Sequence, residues 1–125
     1  MNSVNTKKLV ESFPRIFPAQ LFSFECSDGW FDLLHNLCAD IDNECTKLGL
    51  SNDQWTQATQ IKEKFGGLRF YVTSCAHSIH DLIEAAEEKS LVTCDVCGLP
   101  GTIRRGGWIR TLCDTCEALS NKQKA

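Results

Sequence analysis

The stretch "CDVCGLPGTIRRGGWIRTLCDTC" runs from Cys94 to Cys116, and its two C-x-x-C pairs, fifteen residues apart, decide how the last third of the chain folds. A C-x-x-C turn brings two thiolates to one ion, and two such turns complete a tetrahedron of soft ligands suited to Zn²⁺. Gly98 follows the first pair, where backbone amides must curl toward the sulfurs. Thr102–Arg105 and Trp108–Thr111 flank Gly106-Gly107 and read as a short hairpin. The segment CDTCEALSNKQ reads as a helix, which places Cys113 and Cys116 at a helix N-terminus, where anions are favoured. Knuckle, hairpin and helix in that order predict a treble-clef-like lobe. It would hold one structural zinc ion on Cys94, Cys97, Cys113 and Cys116. A zinc ribbon, with both pairs on hairpin knuckles, is the alternative. Four cysteine ligands leave water no coordination position, which argues against hydrolytic zinc.

The remainder of the 125-residue chain reads as one α+β body, residues 1–90, with helices packed on β-hairpins and integrated with the 91–125 lobe. Hydrophobic residues make up 42% of the sequence, enough for a modest core that a structural metal would reinforce. TKKLVESF, residues 6–13, predicts a short helix stopped by Pro14. Residues 13–24 hold Phe13, Phe17, Phe22 and Phe24 between prolines; the segment either wraps the core or offers an exposed docking strip. Residues 28–48 carry the clearest helix. Ser27 is placed to cap it, Trp30, Leu33, Leu34, Leu37, Cys38, Ile41, Cys45 and Leu48 recur at three- and four-residue steps, and Gly49 stops it. Residues 58–73 alternate as a β-hairpin turning at Gly66-Gly67. Residues 78–90 read as a second long helix, with Ser78 and Asp81 as a capping pair.

No stretch is long and apolar enough to span a bilayer and no apolar leader follows the first lysines, so the expected compartment is the cytoplasm. There eight cysteines point to metal ligands or buried thiols rather than disulfides. Cys38 and Cys45 lie on the apolar helix stripe and read as core. Cys26, Cys75, His77 and His80 are the candidate members of a second metal site. His35 and Cys38, three apart, have the residue types of a nucleophilic pair but no third group to orient them.

Charge is unevenly spread. Residues 1–88 hold seven Lys and Arg against thirteen Asp and Glu, a balance of −6, whereas residues 89–125 hold six against three, or +3. Four thiolates on one dication lower the lobe to about +1, a weak footprint for nucleic acid. Asp32, Asp40, Asp42 and Glu44 give the 28–48 helix an acidic side, a candidate protein-binding face. The alternative is nucleic-acid binding through the 102–111 hairpin, with Arg104, Arg105 and Arg110 on phosphates, Trp108 stacking, and Lys62, Lys64 and Arg69 extending the patch. Nothing marks a small-molecule substrate or a catalytic group. Residues 102–116 lack the histidine base that treble-clef nucleases use.

QIKEKFGGLRFY (Gln60–Tyr71), the C-x-x-C-G knuckle and GGWIRTLCDTC together resemble a group of small bacterial and bacteriophage proteins. In that group the final ligand is often histidine; Cys116 holds the position here, a swap that fits a metal ligand. The likeness covers residues 58–117. It implies a bacterial or phage setting. The acidic side of the 28–48 helix, the phenylalanine-rich segment 13–24 and the lack of a catalytic constellation lead, in that setting, to the expectation of a small non-catalytic regulator or inhibitor that binds a larger machine in its own cell's or a host's cytoplasm. The likeness implies no particular activity.

Overall fold

The computed structural model describes residues 1–124. Helix α1 spans Ser3–Ser12, three residues earlier than the apolar pattern suggests. The shift follows from a cap outside that pattern: the Asn2 side chain accepts the Asn5 amide at 2.8 Å. Asp28 then accepts from the Asn2 amide at 2.8 Å and from the Asn5 side chain at 3.2 Å, tying α1 to the start of the next helix. That helix begins as a 3-10 turn, Asp28–Trp30, and continues as α2, Phe31–Lys47. Ser27 precedes it without a side-chain capping bond. The predicted stripe is buried from Trp30 to Cys45, while Leu48 is exposed. Gly49, at φ +67°, closes the helix: its amide reaches Thr46 O at 3.0 Å and the Leu50 amide reaches Cys45 O at 3.1 Å.

Strand β1 is Phe24–Glu25, β2 is Ala58–Lys64 and β3 is Gly67–Val72. They form one sheet in the order β1-β2-β3, with β1 parallel and β3 antiparallel to β2. Ile61 pairs with Phe70 and Lys62 with Arg69. The turn is not at Gly66-Gly67. Phe65 and Gly66 are the two positive-φ residues, at +53° and +85°, and Gly67 already pairs with Lys64. This is the signature of a two-residue type I′ turn. Glu63 accepts the Gly66 amide at 2.7 Å and so fixes the turn. A left-handed phenylalanine costs about 1 kcal/mol or more, and Phe65 is 67% exposed, so packing returns little. Phe65→Asn should therefore raise stability by about 0.5–1 kcal/mol, read from the denaturant midpoint; a loss of stability would show that the ring contributes packing after all.

Helix α3, His77–Ser90, starts one residue before the expected capping pair. Ser78 does not cap it; its hydroxyl donates to Glu44 of α2 at 3.0 Å. Helices α2 and α3 pack together, and α3 also covers β3. Ser90 Oγ accepts the Leu68 amide at 2.9 Å and Glu87 accepts the Phe70 amide at 3.0 Å, along the outer edge of β3. The core is built on the fully buried Trp30, Leu34, Ile41, Ile61, Leu68 and Ile79. The phenylalanine segment wraps it: Phe13, Phe17 and Phe24 are buried, and Phe17, Phe22 and Phe24 meet edge to face with centroids 5.0–5.4 Å apart. His35 meets Phe13 edge to face with ring centroids 5.0 Å apart, and Cys38 is fully buried in the core.

Strands β4, Thr102–Arg104, and β5, Arg110–Leu112, form a separate two-stranded ladder, and helix α4, Asp114–Lys124, follows. The connection is the five-residue loop 105–109, wider than the tight Gly-Gly turn the sequence suggests. The fold is thus α+β with a C-terminal cluster of four cysteines. No described helix is long and apolar enough to cross a membrane.

Candidate metal centre

Cys94 and Cys97 stand on a knuckle whose backbone folds over itself. The Cys94 amide donates to Leu99 O at 2.8 Å, the Gly98 amide returns to Cys94 O at 3.0 Å, and Gly98 takes φ +82°. Cys113 and Cys116 come from the other side, at the start of α4. The Cys116 amide points at Cys113 Sγ, 3.4 Å away, so the thiol takes the place of an N-cap oxygen. The second pair therefore sits on a helix and not on a hairpin knuckle, which decides for the treble-clef-like arrangement over the ribbon.

All four sulfurs lie within 4.8 Å of one another. Cys97 and Cys113 Sγ are 3.7 Å apart. Four sulfurs at about 2.3 Å around a tetrahedral ion are about 3.8 Å from each other, whereas a disulfide needs about 2.05 Å. All eight cysteines are free thiols, and this cluster can hold a metal ion.

The electrostatics suit a cation. Burial pushes the Cys94 thiol up, but amides of Cys97, Cys113 and Val96 aimed at its sulfur bring it down to about 7. Burial and the neighbouring thiols of Cys113, Cys97 and Cys94 push Cys116 up instead. The site stabilises one negative charge readily and resists the next; a dication among the sulfurs removes that repulsion.

The cluster is welded to the body by contacts that local sequence pattern does not announce. The Gly29 amide donates to Asp95 O at 2.9 Å, and the Trp30 indole donates to Thr93 O at 3.0 Å. A Cβ on Gly29 would lie 2.3 Å from Cys94 O. Thr111, fully buried, accepts the Asp95 amide through its carbonyl at 2.9 Å and donates its hydroxyl to Gly66 O at 2.7 Å. Strand β5 thus lies between the knuckle and the tip of the body hairpin.

The arginines read as phosphate contacts are mostly committed to this framework. Arg110 Nη2 meets the buried Asp95 carboxylate at 2.7 Å. Arg104 donates to Leu112 O at 3.0 Å and pairs with Asp114 at 2.8 Å and Glu117 at 2.5 Å, bracing β4 against α4. Among the described residues, Arg105 has no carboxylate partner, and Trp108 stands 63% exposed with Arg110 against its ring at 4.9 Å. Removing Arg110 strands a buried charge, so Arg110→Met should cost about 3 kcal/mol, while Arg110→Met with Asp95→Asn should recover much of that. Equal losses in the single and double variants would show that the pair is not coupled.

The acidic side of α2 divides in the same way. Asp42 accepts the Trp55 indole at 2.9 Å, and burial pushes its carboxyl up against that bond and the nearby Arg15. Glu44 holds Ser78, leaving Asp32 and Asp40 as the outward members. The proposed second metal site does not assemble. Cys26 is buried near the N-terminus of α2, where burial pushes its thiol up to about 12. Cys75 is half-buried against the core, and His77 and His80 stack on the α3 surface. The second group of possible ligands close together is His80, Asp81 and Glu84, all exposed. Sequence reasoning missed Gly29, Asp95 and Thr111. A glycine in the first turn of a long amphipathic helix was the available signal for the first of them.

The chain matches no protein-family model, no curated protein and no solved structure.

Proposed function

We propose that this protein is a small, non-catalytic zinc-binding module that acts by contacting a partner protein in the cytoplasm of a bacterium, either its own or a phage's host. The convergence of four thiols at near-tetrahedral spacing carries the reading. Four soft ligands suit Zn²⁺, and a site closed by protein sulfur holds chains together rather than activating water. Cys94, Cys97, Cys113 and Cys116 would hold the ion, and its charge would be spread over thiolates steadied by knuckle and helix amides. Support for a protein partner comes from the helical layer, where Asp32 and Asp40 of α2 stand outward beside an α3 that adds Glu88. Such a surface suits a basic partner. The likeness of residues 58–117 to small bacterial and phage proteins supports the setting.

Protein purified without added metal should carry about one zinc per chain; iron, or a metal-free protein with the same unfolding midpoint, would overturn the zinc reading. For the partner, tagged protein should capture the same polypeptide with and without nuclease, and Asp32→Lys with Asp40→Lys should abolish the capture. A captured set that vanishes on nuclease treatment would refute direct protein contact.

A further inference from the structure

Strand alternation sends Ile61, Leu68 and Phe70 into the core and turns Lys62, Lys64, Arg69 and Tyr71 to the other face of the sheet. Lys62 and Arg69 sit directly opposite each other. Like charges at such a pair oppose strand pairing. Among the described residues, none of Lys62, Lys64 and Arg69 has a carboxylate within 4.0 Å. The helices behind the sheet are of the opposite sign: α2 and α3 together hold eight acidic residues and two lysines. The molecule is therefore polar across its two layers: the open face of the sheet carries Lys62, Lys64 and Arg69 against Glu25 of the edge strand β1, which lies in register with Lys62.

Aromatic rings are interleaved with those cations. Tyr71 is 43% exposed with Lys62 Nζ 6.0 Å from its ring centre, and Lys64 Nζ lies 5.7 Å from the ring of Phe65. Beyond Phe65 the tip of the β4–β5 hairpin comes alongside. Glu63, Lys64 and Phe65 face Gly106, Gly107, Trp108 and Ile109 across a groove of about 380 Å³, so one carboxylate shares it with the cation and the rings. Phe65 is the informative member. It is held in a left-handed backbone, exposed, at a turn position that asparagine or glycine fills at less cost. Strain kept without packing in return points to a use for the ring.

We propose that this face, from Tyr71 across Lys62, Arg69 and Lys64 to Phe65 and Trp108, binds single-stranded nucleic acid. The three cations track phosphates, and the three rings offer flat stacking surfaces to successive bases. Duplex is the poorer fit, because its bases are already stacked and the three-residue strands β4 and β5 are too short to read a groove. An acidic protein would satisfy the cations but leave three separate rings unused. The site differs from the hairpin reading of the sequence, since Arg104 and Arg110 are bound internally and the work passes to the sheet. It stands apart from the zinc reading and from the helical protein-contact face, which lies on the other layer.

The test is fluorescence anisotropy of the full chain with labelled single-stranded DNA and RNA of about twelve nucleotides, within the range such sites cover, at about 50 and 200 mM salt. Binding should weaken steeply with salt, and replacing Lys62, Lys64 and Arg69 together by serine should flatten the salt slope by about two units. Phe65→Asn and Trp108→Ser should each weaken binding at least about fivefold. Because Phe65→Asn is expected to stabilise the fold, its loss of binding cannot be laid to unfolding. No binding at low salt, a preference for duplex, unchanged affinity in the triple variant, or equal competition by polyglutamate would each overturn the proposal. Zinc content measured on the same samples separates the two readings: failure to bind oligonucleotide with one zinc per chain leaves the zinc module standing.

Discussion

Cys94→Ser should abolish stoichiometric metal binding and lower the unfolding free energy by about 5 kcal/mol or more, a large part of what a domain of this size possesses. Cys94 is fully buried, and its amide and carbonyl both form the knuckle. Its sulfur is the thiol that neighbouring amides bring down to about 7 against the pull of burial. Serine keeps the shape but supplies no thiolate, and three remaining sulfurs would not hold the ion expected to tie α4 to the knuckle. Chelation of the wild-type protein should reproduce the effect, with residues 93–117 losing amide-exchange protection while α2 and α3 retain theirs. The exposed Cys97 makes a graded comparison, since Cys97→Ser should weaken metal binding with a smaller loss of stability. A Cys94→Ser protein that melts at the wild-type temperature with full protection across the lobe would show that packing, not metal, holds it.

The second large effect is expected far from any cysteine in sequence. Gly29→Ala places a methyl 2.3 Å from Cys94 O, 2.5 Å from Asp95 C and 2.6 Å from Asp95 O, all backbone atoms that no rotamer change can move aside. The knuckle must shift as a unit. Gly98, whose own Cβ position is 2.9 Å from Gly29 O, shows the same closeness from the other side. The expected cost is about 3 kcal/mol or more, together with weakened metal affinity, because displacing the knuckle moves two of the four sulfurs. Gly107→Ala is the control. Its Cβ would meet open space, so its cost should stay within about 0.5 kcal/mol. Near-equal unfolding midpoints for the two variants would refute the close-contact argument.

These two sites mark the boundary of what the sequence discloses. The C-x-x-C pairs are local: the spacing alone puts two sulfurs on one turn, and the structure brings all four together. The α2 stripe and the alternation of residues 58–72 are local in the same sense, because helix and strand periods are written into each segment. The turn at Phe65-Gly66 was misplaced by one residue because Gly66-Gly67 is the better local candidate. What decides is the register that buries Ile61 against Phe70 while Gly67 leaves room beside Leu91. Contacts between distant segments left no periodic trace. Gly29 meets Asp95, Trp30 meets Thr93 and Gly66 meets Thr111 only once the chain has folded. The arginines misled for the same reason: composition counts charges, but only three-dimensional neighbours show that Asp95, Asp114 and Glu117 already hold Arg110 and Arg104.

The side chains of Ser90 and Glu87 along the rim of β3 bear on the protein's behaviour at high concentration. An uncovered outer strand offers a row of amide donors to the next molecule and can seed intermolecular sheets. Here the Leu68 and Phe70 donors are occupied from within, by a hydroxyl and a carboxylate on the helix that covers them. The rim of β3 is thereby guarded against edge-to-edge association, and that guard rests on two polar side-chain atoms.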